Sequence, residues 1–72
     1  MKLTPLDKEI IRGMADHSMN GHAVARALYV HPNTIDYHVG RVKRITGLNA
    51  KVFRDLVALL ELLEKSEAED GE

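Results

Sequence analysis

The chain has no cysteine and no tryptophan, two prolines, and only three aromatic side chains, Tyr29, Tyr37 and Phe53. Without cysteine no disulfide and no thiolate metal site can steady a small fold. The same absence points most simply to the cytoplasm. No apolar run approaches the roughly 20 residues that cross a bilayer, and no signal-like segment precedes the first amphipathic stretch. No membrane partner is therefore expected. The equipment for catalysis is missing too. Ser18 and Ser66 are the only serines, and neither has a base with an orienting acid nearby in sequence. His31 and His38 lie seven residues apart, not the four that bring two imidazoles onto one metal, and no HExxH pattern occurs. No enzymatic activity, no metal, no cofactor and no small-molecule ligand is expected.

What is present is one small domain of 72 residues with an ordinary apolar share of 44%. That length is near the lower limit for a core that stands unaided, which favours an all-α domain helped by dimerisation. The net charge of −1 hides an uneven layout. Residues 1–60 carry nine Lys/Arg against five Asp/Glu, a balance of +4, and residues 61–72 carry one lysine against six acids, a balance of −5. The body is mildly basic and the tail acidic.

Four helices are legible, at about 5–16, 21–28, 32–46 and 50–64. Thr4 and Pro5 open the first, with Asp7 as the acid of a capping box and Leu6, Ile10, Ile11 and Met14 as one apolar stripe. Asn20 caps a short second helix that turns Val24, Ala25 and Leu28 inward, Ala25 being small enough for a close helix crossing. Leu28, Tyr29 and Val30 form a turn, with Val30 pointing back to the core. Pro32 starts the third helix, whose buried face is Ile35, Val39, Val42 and Ile45, and Gly47 ends it. Asn49 caps the fourth helix, with Leu48 and Phe53 as a hydrophobic staple across its start. Val52, Leu56, Leu59 and Leu63 make one stripe on that helix; Phe53, Val57 and Leu60 make a second. One stripe suffices for a core, and an exposed second stripe needs a partner. Residues 1–64 form the domain and residues 65–72 an acidic, frayed tail.

A short helix, a tight turn and a longer helix over residues 20–48 is the order of a helix-turn-helix, which lays its second helix in the DNA major groove. Its reading half would be His31, Asn33, Thr34, Asp36, Tyr37 and His38. Asn33 and Thr34 can meet phosphate oxygens beside the helix N-terminus, and Tyr37 and His38 can reach phosphate or a base. Asp36 must either accept from a cytosine amino group or sit away from the phosphates. Arg41, Lys43 and Arg44, with Lys51 and Arg26, would supply sequence-independent attraction.

The run TIDYHVGRVKRITGL, with HPNT and ALYV before it, resembles the C-terminal helix-turn-helix of PucR-type regulators, which control purine and sugar-diacid catabolism in bacteria. Ala23, Ala25, Ala27, Leu28, Val30, His31, Asn33, Thr34, Ile35, Tyr37, Arg41, Ile45, Gly47 and Leu48 fit that pattern. The LTP opening and the spacing from Asn33 to Val39 also look like the LuxR-type module, in which a fourth helix makes the dimer. The resemblance implies sequence-specific binding of double-stranded DNA by a transcription regulator, with residues 32–46 in the major groove. It also implies a homodimer through the fourth helix, with contacts from Val52, Leu56, Leu59, Leu60 and Leu63. The chain departs from the PucR pattern at Asp36, His38 and Gly40, where that family favours arginines; Gly40 also weakens its helix by up to about 1 kcal/mol against alanine. Those departures keep open an alternative, an interaction module that retains the fold and has lost strong DNA binding. Met1 and the acidic tail favour a free-standing small protein over a piece of a larger regulator.

Overall fold

The computed structural model describes residues 3–70, and the side chains of residues 3–65. Four helices follow one another: α1 (Pro5–Asp16), α2 (Gly21–Leu28), α3 (Pro32–Thr46) and α4 (Phe53–Asp70). The first three have the predicted bounds because each end is written in local chemistry. The Thr4 hydroxyl accepts the Asp7 N–H at 3.1 Å while the Asp7 carboxylate accepts the Thr4 N–H at 2.9 Å, a complete capping box. Asn20 Oδ1 accepts the Ala23 N–H at 3.1 Å and opens α2. His31 caps α3 through its ring, Nδ1 accepting the Asn33 N–H at 3.0 Å, and Gly47 closes it in the left-handed region at φ 79°.

The core is the predicted apolar set with additions. Ile10, Ile11, Met14, Val24, Ala25, Ile35, Val39, Val42, Leu56, Leu59 and Leu63 are buried, joined by Leu3 and Ala50. Leu6, Leu28 and Val30 pack against them half-buried. Ile45 differs from expectation: it remains 39% exposed on the flank of α3. α1 and α2 come close at Gly13, where an added Cβ would lie 2.9 Å from Val24 Cγ1. Among the described residues α1 packs against each of the other helices, α2 packs on α3, and α4 rests on α1 alone.

The fourth helix starts later than its sequence indicates. Asn49 does not cap it; Asn49 Oδ1 accepts the Lys51 N–H at 2.9 Å inside a turn, and the Asn49 N–H donates to Asp55 Oδ2 at 3.0 Å. This turn puts Ala50 at zero exposure and delays the first helical bond to Leu56 N–H on Val52 C=O. Phe53 consequently points outward at 66% exposure, so it does not staple to Leu48. At its other end α4 continues to Asp70, past the expected frayed tail from residue 65. Lysine, glutamate and alanine are good helix formers, and no breaker precedes Gly71. The last two residues of that expected tail lie outside the described residues.

Candidate nucleic-acid interface

With Ile35, Val39 and Val42 fixed inward, a 3.6-residue repeat puts Asn33, Tyr37, Gly40 and Arg44 along the opposite side of α3. Asn33 and Arg44 are exposed and Tyr37 is 61% exposed. Thr34, half-buried, and Arg41 lie on the flank toward α1, and Lys43 is exposed on the other flank. His31 is exposed but its Nδ1 is committed to the Asn33 N–H, which puts the ring proton on Nε2. Arg26 is exposed on α2. The helix N-terminus and this outward stripe form a continuous polar surface able to accept a phosphate and face base edges.

Four expected contact residues, Asp36, Lys51, His38 and Arg41, are engaged with side chains of the same domain. Asp36 lies 2.8 Å from Lys51 Nζ, so the two exposed charges offset each other, and the Lys51 hydrogen bond and charge hold the Asp36 carboxyl below its usual range. The charge of this acid on α3 is thus paired from the turn before α4. His38 turns toward α1. Its Nδ1 lies 2.5 Å from Asp7 Oδ1, its side chain is 14% exposed, and Tyr37 packs edge-on against its ring. Arg41 Nε donates to Asp7 Oδ2 at 3.1 Å.

Asp7 was legible as a cap, not as the meeting point of two α3 side chains. It is fully buried, and no buried side-chain nitrogen or oxygen among the described residues lacks a partner. Burial pushes its carboxyl up, but hydrogen bonds from His38, Thr4 and Arg41 outweigh that and hold it below the usual value of 3.8. The ionised carboxylate only accepts, so His38 Nδ1 carries the proton between them. One signal in the sequence foreshadows the pairing: His38 and Arg41 are three apart, on one flank of α3.

The expected dimer residues divide sharply. Leu56, Leu59 and Leu63 are buried in the core of their own chain, which removes them from any surface a partner could touch. Val52 is exposed and Leu60 half-buried. Leu60 borders an open apolar groove between the end of α1 and α4, together with the exposed Phe53 and Val57 and with Met14, Ala15, Ser18 and Met19. Among the described residues no helix is long and apolar enough to cross a membrane, and no three metal-ligating side chains converge.

Comparison with known proteins agrees with this geometry. The chain matches the PucR C-terminal helix-turn-helix domain over residues 8–63. It is 33% identical over 51 residues to the carbohydrate diacid regulator of Escherichia coli (strain K12), a match covering 71% of this chain and 13% of that protein. The chain thus corresponds to a small fraction of that regulator's length. No solved structure matches. The match is to the PucR type; similarity to the LuxR-type module is not shown. Over residues 8–63, more than half of its length, the chain belongs to the PucR C-terminal helix-turn-helix family, DNA-binding domains of transcription regulators.

Proposed function

We propose that the chain binds double-stranded DNA as a homodimer, with α3 in the major groove. The observation that carries this is the outward side of α3, where Asn33, Tyr37 and Arg44 stand exposed beside a capped helix N-terminus and oppose the buried Ile35, Val39 and Val42. Asn33 and Thr34 sit where a phosphate meets the first-turn N–H groups, and Tyr37 and Arg44 reach toward base edges and the opposite strand. Arg26, Lys43 and Arg41 add attraction that does not depend on sequence.

Each module is modestly charged, so two joined modules hold DNA better than one. The surface available for joining them is Phe53, Val57 and Leu60 on α4, with the exposed Val52 just before the helix, an apolar surface that the core leaves partly uncovered. A salt titration of binding to duplex DNA tests both parts. A steep negative slope of log affinity on log salt is expected, and Phe53→Asp should roughly halve that slope while leaving the fold intact. Absence of binding at low salt sinks the proposal; an unchanged slope in Phe53→Asp removes the dimer through this face.

One observation favours the competing reading, an interaction module that has lost strong DNA binding. Lys51 and Arg41, two of the cations expected on phosphates, already face carboxylates of the same chain. In that case Arg44→Gln would leave partner binding unchanged, whereas it should sharply weaken the binding of a DNA reader.

A further inference from the structure

A carboxylate with no exposed surface sits beside the helix that is to meet DNA, and two side chains of that helix hold it. Asp7 is fully buried, so it touches no DNA itself. Its partners, His38 at 14% and Arg41 at 30% side-chain exposure, are the residues that bridge from core to surface. The capping box does not call for a charge there, because glutamine serves that position as well as an acid. Docking α3 does not call for one either, since Ile35, Val39 and Val42 already pack it on α1 and α2. A buried carboxylate is costly unless it is well paired, and this one is paired entirely toward α3 and its own cap.

We propose that Asp7 is a positioning residue for DNA binding, which pins His38 and Arg41 to α1 and so fixes the roll of α3 and the direction of the Arg41 guanidinium. The proposal rests on DNA binding by α3. Apolar contacts are non-directional and let a helix rotate by small amounts; two hydrogen bonds from positions three apart to one carboxylate do not. An unpinned arginine loses rotamer freedom when it meets a phosphate, and an arginine already held has lost it beforehand. A guanidinium has donors on more than one edge, so gripping a carboxylate through Nε is compatible with addressing a phosphate. An ammonium carries its three donors on one atom, so a lysine gripping the carboxylate has no second edge held in a fixed direction.

The test is a mutant cycle on the full chain, with a mixed-sequence duplex as probe at low salt and anisotropy as the readout. Asp7→Asn keeps the shape and much of the cap but removes the charge that grips Arg41. Its affinity should fall about tenfold, as should that of Arg41→Gln, and the double variant should be no weaker than either. A structural role alone would weaken binding in the Arg41→Gln background as much as in the parent. Arg41→Lys supplies the second arm should Asp7→Asn not fold: it keeps the charge and should still lose most of the affinity. Asp7→Asn or Arg41→Lys binding as tightly as the parent overturns the proposal, and so do losses that multiply in the double variant. A duplex left unbound by the parent chain overturns the DNA reading and this proposal with it.

Discussion

The two helices that dock on α1 after the turn do so by opposite means. α4 is held by Leu56, Leu59 and Leu63, an apolar seam, and it leaves Phe53 and Val57 uncovered. α3 is held by an apolar face together with the Asp7 carboxylate, and it leaves Asn33, Tyr37 and Arg44 uncovered. Apolar burial gives most of the stabilisation but little direction, whereas a shared carboxylate gives direction and little net stabilisation. The helix proposed to read DNA is the one with this directional device.

This contrast can be broken at several strengths. The largest effect belongs to the apolar seam: Leu59→Asp puts a charge at a site of zero exposure and should cost about 4 kcal/mol or more, enough to unfold a domain of this size. Far-ultraviolet circular dichroism with urea titration measures it, and a folded variant would show that α4 is dispensable to the core.

An intermediate effect belongs to the polar clasp and appears with pH. The Asp7 carboxyl is held below 3.8 in the folded chain, so the stability it contributes is complete above that value and is lost as pH falls through its lower folded value. The urea midpoint should therefore drop on acidification below about pH 4, and Asp7→Asn should flatten that limb. Asp36 shifts in the same direction, but it is fully solvated beside Lys51, so Asp36→Asn should leave the limb nearly unchanged. An equal response from the two variants would remove the distinction between a buried clasp and a surface pair.

The smallest effect concerns two glycines. Gly40→Ala should raise stability by up to about 1 kcal/mol, because the added Cβ meets only Arg44 Nη1, at 3.7 Å. Gly13→Ala should do the reverse, since its Cβ would press on Val24 Cγ1. Thermal unfolding of both variants checks the signs. A loss of stability in Gly40→Ala would mean that α3 needs a glycine for its own packing.

How much of this was legible in sequence depended on distance along the chain. Thr4 with Asp7, Asn20, Pro32 and Gly47 mark helix ends within three or four residues, so α1, α2 and α3 could be bounded without the fold. The start of α4 could not, because it is set by the burial of Ala50 and by Asp55 reaching back to Asn49. The reading face of α3 followed from helical periodicity. The pairing of His38 and Arg41 with Asp7, and of Asp36 with Lys51, did not, since the partners lie 31, 34 and 15 residues away. Periodicity likewise named two stripes on α4 without saying which one the core would take.

The bond between Asp7 and His38 has a topological consequence as well. It joins two points 31 residues apart and so closes a ring of chain that contains the whole of α2 and the start of α3. The entropy of closing such a ring grows only with the logarithm of its length, and much of that length is already shortened by helix. Once closed, the ring leaves α2 little room to wander from its slot at Gly13. Among the described residues α4 lies outside the ring and packs on α1 alone, so the ring does not constrain it directly.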